Sequence, residues 1–182
     1  MSDKRSYPVI GVVRVAVGQA SGLAFFGRTV QSFLSSLAPL LAFPLAGAII
    51  EFFRDGPVTA LELVLLTLVL QLAPSVLSHA LAVRWKREEQ WLHFATAYNW
   101  CYWALPIVTF LLMLLFGTAI GAGLPEAYGA KGVLAGLGLY SLWLHWFLAR
   151  KALELSRWRA ALMVVLVNAG TILLAIGPTQ LN

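Results

Sequence analysis

Long apolar runs separated by short basic clusters set the pattern of this chain. A helix rises about 1.5 Å per residue, so about 20 apolar residues cross a hydrocarbon layer about 30 Å thick. Five segments reach that length: 33–53 (FLSSLAPLLAFPLAGAIIEFF), 58–83 (VTALELVLLTLVLQLAPSVLSHALAV), 97–116 (AYNWCYWALPIVTFLLMLLF), 132–149 (GVLAGLGLYSLWLHWFLA) and 159–177 (RAALMVVLVNAGTILLAIG). The pattern predicts an all-α, polytopic transmembrane helical bundle of five spans in one domain, preceded by an N-terminal segment over 1–32. Between Val9 and Val30 the polar positions Arg14, Ser21 and Arg28 recur every seven residues, with Gly18 on the same stripe. That spacing predicts an amphipathic helix lying in the membrane interface. Were it to span instead, Arg14 would be buried at a cost of about 2.5–3.5 kcal/mol, and Lys4 and Arg5 would have to be translocated.

Composition agrees with the pattern. The chain is 60% hydrophobic and 12% charged with a mean hydropathy of +0.80, whereas soluble domains carry about 25% charged residues. The net charge of +5 resides in clusters between the apolar runs, which points to topology signals and away from nucleic acid. Lys4, Arg5, Arg14 and Arg28 precede the first span, Arg84, Lys86 and Arg87 separate the second and third, and Arg150, Lys151, Arg157 and Arg159 separate the fourth and fifth. Only Arg54 and Lys131 fall on the other side. Because short cytoplasmic segments keep Lys and Arg, this asymmetry predicts a cytoplasmic N-terminus and a C-terminus on the opposite side of the membrane. The basic loops would meet anionic lipid headgroups, at about 1 kcal/mol per residue, or the acidic surface of a partner. Cys101 is the single cysteine and allows no internal disulfide.

Polar side chains inside spans are the candidates for function, because hydrocarbon offers them no hydrogen-bond partner. Gln71, Ser75 and Ser78 share a helical face around Pro74, with His79 four residues after Ser75. Pro74 also frees a carbonyl one turn earlier, which adds polarity to that face. Gly138, Ser141, His145 and Ala149 form a small, polar strip in span four, and Gly132 and Gly136 permit close helix approach. Asn168 and Thr171 lie three residues apart in span five. Asn99, within the aromatic string YNWCYW at 98–103, is placed to bond His145 or His79. The aromatics around it, with Trp143 and Trp146, read as one interfacial belt. Glu154, with Arg150, Lys151 and Arg157 at helical spacing, reads as a local ion-pair partner. His79, His93 and His145 lie toward one side but lack local metal-ligand spacing, and no cofactor is implied. The chain contains no GxSxG, HExxH or CxxC motif.

The string LYSLWLHWFLARKALELSRWRAALMVVLVNAGTILL resembles the closing part of bacterial Yip-like membrane proteins, which pair an aromatic-rich helix end with a final apolar span. YNW at 98–100 and FFGRTVQSFLSSLAPLL at the entry to span one are similar to members of the same group. The resemblance implies five spans, a cytoplasmic N-terminus and a scaffold or adaptor role. The DLYGP motif of the eukaryotic, vesicle-traffic branch is missing, so a trafficking role does not carry over.

The function expected from these features is that of a non-enzymatic membrane scaffold or accessory subunit. It would associate with other membrane subunits or with itself through helix packing and a basic cytoplasmic face. The alternative is a small-solute or ion transporter or channel with a polar site between spans two, three and four. An enzyme acting on lipid would need at least two reactive polar groups within hydrogen-bond reach of each other.

Overall fold

The computed structural model describes residues 7–176, and all regular structure among them is helical. The elements are α1 (Pro8–Ala16), a 3-10 helix (Ala20–Phe25), α2 (Val30–Asp55), α3 (Pro57–Arg84), α4 (Glu88–Cys101), α5 (Ala104–Gly121), α6 (Glu126–Ala152) and α7 (Arg157–Ile176). Five stretches are long and apolar enough to cross a membrane: α2, α3, α4 with α5, α6 and α7. Each observed helix extends beyond its expected segment at one or both ends, because caps and charges prolong the backbone hydrogen bonding past the apolar run. Thr29 accepts the Ser32 amide (3.2 Å) and starts α2, Pro57 occupies the first turn of α3, and Glu88 and Glu89 sit at the positive end of α4. Arg84, Arg150 and Lys151 occupy last turns, where cations suit the helix dipole.

Two expectations are corrected. Residues 9–30 do not form one helix. Gly18 takes a positive φ of 82°, the chain reverses there, and α1 packs back on the 3-10 helix with Gly11 against Gly22. A Cβ on Gly22 would stand 2.7 Å from the Gly11 carbonyl oxygen, so that approach requires glycine. The reversal takes Arg14, Ser21 and Arg28 off any common stripe.

The third span, expected as one helix over 97–116, begins at Glu88 and breaks at Tyr102 and Trp103. Pro106 has no amide to offer the Tyr102 carbonyl, so Leu105 N–H bonds it instead (3.1 Å) in a tighter turn.

That break separates two environments. In α4, residues His93, Phe94, Ala95, Thr96 and Ala97 are all buried, and five consecutive residues exceed one turn, so the helix is enclosed on every side. Its neighbours are α1, α2, α3 and α6. The main core gathers around it: Phe94 and Cys101 from α4, Leu148 and Ala149 from α6, Met163 from α7 and Val15 from the N-terminal hairpin. That hairpin is tied down at two points. Tyr140 Oη–H donates to the Ala16 carbonyl (3.1 Å), and His93 Nε2–H donates to the Leu23 carbonyl (2.9 Å). In contrast, α5 packs mainly on α6, and Ile107, Phe110, Leu111 and Leu115 are exposed. Apolar exposure of this extent is the signature of a surface made for lipid.

The α5–α6 pair rests on the glycines of α6. Ile120, Phe116 and Leu112 fill the spaces left at Gly129, Gly132 and Gly136, so the close approach is by side chain onto backbone. A Cβ at Gly132 would collide with the Phe116 ring, whereas one at Gly117 would meet nothing within 4 Å. Gly132→Leu is therefore expected to cost about 1–3 kcal/mol through overpacking, and Gly117→Leu less than about 0.5 kcal/mol. Thermal unfolding of both variants in detergent checks the contrast.

Candidate functional site

Above the enclosed helix α4, where α5 turns away with α6, a cavity of about 620 Å³ opens among α2, α3, α4, α6 and α7. Of the expected intramembrane polar cluster Gln71, Ser75, His79, Asn99, His145 and Asn168, four residues line it: Gln71 from α3, Asn99 from α4, His145 from α6 and Asn168 from α7. They lie about 7–20 Å of helix from the basic end of the bundle, His145 the nearest to it and Gln71 the farthest. Thr67, Ser141, Thr171 and Tyr98 add further polarity. Pro74 and Leu70 also border the cavity, and Pro74 has no amide for the Leu70 carbonyl, as the sequence implies. A second space of about 550 Å³ adjoins it through Leu40, Gln71, Tyr102, Leu105 and Leu137 and runs between α2 and α5 along Pro106, Phe110 and Met113. The first space sets polar side chains among leucines, and the second is almost wholly hydrocarbon. Among the described residues no Asp, Glu, Lys or Arg lines either.

Hydrogen bonds fix much of the polar wall. Asn168 Nδ2 donates to the Val164 carbonyl (2.7 Å) and to His145 Nδ1 (3.4 Å). With Nδ1 accepting, the imidazole proton belongs on Nε2. Asn99 Nδ2 donates to Ser36 Oγ (3.0 Å), not to His145 or His79 as the sequence suggested, and Ser36 Oγ–H continues to the Phe33 carbonyl (2.6 Å). Thr67, Ser141 and Thr171 donate to carbonyls of their own helices, which leaves their oxygens as acceptors. Among the described residues, three buried side-chain atoms have no hydrogen-bond partner: Gln71 Oε1, Thr96 Oγ1 and His145 Nε2. The first and last belong to residues of the cavity wall.

Ser75 and His79 stand apart from this wall. They share the face of Gln71 but sit one to two turns nearer the basic end, where α4 fills the space. There Trp91 Nε1–H donates to Ser78 Oγ (3.1 Å) and the Trp91 ring lies 4.6 Å from His79. The aromatic string 98–103 is likewise not a simple belt. Tyr98 packs 4.9 Å from His145, Cys101 is fully buried, and only Tyr102 is substantially exposed, at 46%, where the two spaces meet. Trp143 stacks on Phe147 and lies beside Gly18 of the N-terminal hairpin, and Trp146 N–H bonds the Arg157 carbonyl (3.2 Å), so the two rings join α6 to different neighbours. No group of three His, Cys, Asp or Glu side chains able to hold a metal occurs among the described residues.

At the basic end, α6 stops at Ala152, and Glu154 with a positive φ of 53° turns away from the expected helical partners Arg150, Lys151 and Arg157. It pairs with Arg87 instead (3.3 Å), which joins the α3–α4 loop to the α6–α7 loop. Arg150 lies over the Trp146 ring. Arg84, Lys86, Lys151, Arg157 and Arg159 are exposed, and between the last two Trp158 is 86% exposed. Trp158 carries no signal in the apolar periodicity, yet its flanking arginines mark it as an interface residue.

The Asn99–Ser36 bond gives the first test of the site. Asn99→Leu is expected to lower stability by about 1 kcal/mol, and adding Ser36→Ala should cost little more. A double-mutant cycle by thermal unfolding in detergent reads the coupling, and strict additivity would deny it.

Compared with known proteins, the chain matches no family model, no curated protein and no solved structure. The likeness to Yip-like proteins thus rests on the quoted strings alone.

Proposed function

We propose that this chain is a five-span protein of a bacterial inner membrane that works by holding a small solute in the cavity among α2, α3, α4, α6 and α7. The observation that carries the reading is the convergence of Gln71, Asn99, His145 and Asn168 on one space of about 620 Å³. Polar groups at that depth face a solvent with no hydrogen bonds to give, so a bundle that gathers them around a space suits a polar occupant. Toward the basic end the bundle is filled by a core that includes buried Phe94, Ala97, Cys101 and Leu148, which favours binding, or one side of an alternating pathway, over an open channel. The arrangement suits holding a molecule rather than transforming it.

A second reading, as a scaffold or accessory subunit, is favoured by a different observation. Exposed Arg157, Trp158 and Arg159, with Arg84, Lys86 and Lys151, give the rigid end of the bundle a basic face suited to anionic headgroups or an acidic subunit surface. The likeness to Yip-like proteins supports the same role. The two readings are compatible in one molecule, with the cavity and the basic face at different depths.

Gly138 supplies the test of the cavity. It borders the space, and a Cβ there would meet nothing within 4 Å, so Gly138→Leu should fill the cavity without disturbing the helix. Native mass spectrometry of the purified full chain is expected to find a copurifying small molecule that Gly138→Leu removes while the melting temperature holds. Retention of the same molecule by the variant would sink the cavity reading.

Orientation is tested separately. In a Cys101→Ser background, an impermeant maleimide applied to spheroplasts should label Lys131→Cys and leave Trp158→Cys untouched. The reverse pattern would invert the topology.

A further inference from the structure

We infer that the cavity holds the head of an uncharged, hydroxyl-bearing amphiphile, with its hydrocarbon tail lying along the apolar space between α2 and α5. This rests on the cavity reading above and adds the chemical class of the occupant.

The argument comes from what the wall offers and what it lacks. Among the described residues no Asp, Glu, Lys or Arg lines either space, so an ionic head would enter at this depth without a counter-charge from them. The wall is instead rich in neutral acceptors. Gln71 Oε1 lacks any donor, and the hydroxyl oxygens of Thr67, Ser141 and Thr171 have already given their protons to backbone carbonyls. His145 Nε2–H, fixed by the Asn168 contact to Nδ1, is a donor without an acceptor, and the residue is only 3% exposed. A head that both gives and accepts hydrogen bonds satisfies this set, and a hydroxyl is the simplest group that does so. Two or more adjacent hydroxyls match the surplus of acceptors better than one. Gln71 Oε1 and His145 Nε2 are both covered at present, so the head engages them through small rotations of side chains already in the wall.

The adjoining space sets the rest of the molecule. It begins at Gln71 and Leu105, shared with the polar space, and continues past Pro106, Phe110 and Met113 of α5. A ligand with its head at Gln71 and His145 thus finds hydrocarbon directly beside it. This space is open along α5, which lets such a molecule enter from lipid.

The probe is 1-monooleoylglycerol, with oleate as the charged counterpart and 1-octadecene as the headless one. Each is titrated into the full chain in detergent and followed by native mass spectrometry, with imidazole nitrogen NMR of histidine-labelled protein alongside. Saturable binding of monooleoylglycerol is expected, abolished by Gly138→Leu and weakened about tenfold by Gln71→Leu. Ligand-dependent movement of one Nε2 resonance should vanish in His145→Phe. His79→Phe, remote from the cavity, should leave affinity unchanged. If His145→Phe does not fold, Gln71→Leu with the nitrogen spectrum of the parent chain decides. Binding of oleate or octadecene with equal affinity, sensitive to Gly138→Leu, would overturn the chemical class and leave the cavity reading intact. Binding of none of the three, with no Gly138-dependent copurifying molecule, would overturn both. Binding of monooleoylglycerol indifferent to Gln71→Leu would overturn the assigned head contacts.

Discussion

The architecture depends on one missing hydrogen bond. Pro106 cannot donate to the Tyr102 carbonyl, so the third apolar stretch divides after Cys101 into α4, which stays in the core, and α5, which leaves it to pack on α6. An unbroken helix would carry the line of α4 onward. The break instead sends the second half of the stretch toward the glycines of α6, where Phe116 and Leu112 find seats. What remains among α2, α3, α6 and α7, just beyond the end of α4, is the cavity.

The same division distributes stability unevenly. Around α4, small residues such as Ala95, Ala97, Ala149 and Ala160 let helices approach closely, and Phe94, Leu148 and Met163 fill the remaining volume. The N-terminal hairpin closes this region through Tyr140 and His93, and the Arg87–Glu154 pair spans its loops. Half-exposed pairs of that kind contribute at most about 1 kcal/mol, so the pair registers the two loops more than it holds them. Beyond the core, α5 has one principal neighbour and much exposed hydrocarbon. A bundle built this way has a firm end and a looser end, with the cavity at their junction.

How much of this was legible in the sequence follows from the range of each signal. Span number and length are set by bilayer thickness acting on local hydrophobicity, so all five appeared as apolar runs. The break at 102–103 left a trace in Pro106, but apolar periodicity runs straight through it. The N-terminal reversal was concealed because Arg14, Gly18, Ser21 and Arg28 fit a helical stripe, although Gly18 is the turn itself. Glu154 was misassigned for a related reason: its neighbours are at helical spacing, but the helix has already ended. For the polar cluster, shared face was readable and depth was not. Gln71, Ser75 and Ser78 lie on one side of α3, yet α4 fills the space opposite Ser78 and ends before Gln71. Only the tertiary position of α4 decides which of these side chains meets a cavity and which meets Trp91.

The unpaired atoms are where the competing demands of the fold meet. A buried donor or acceptor left without a partner costs about 1–3 kcal/mol, and Gln71 Oε1 and His145 Nε2 together are a substantial fraction of the 5–15 kcal/mol by which folded proteins are usually stable. Apolar residues in their places would remove that cost. The neighbouring Asn99 shows that this bundle can satisfy an amide at the same depth, since Ser36 is positioned to receive it and is itself satisfied by Phe33. Thr96 Oγ1, outside the cavity wall, is unpaired as well, but Gln71 and His145 are the two such residues that line the space. That placement is the pattern expected where the last partner is supplied from outside the chain.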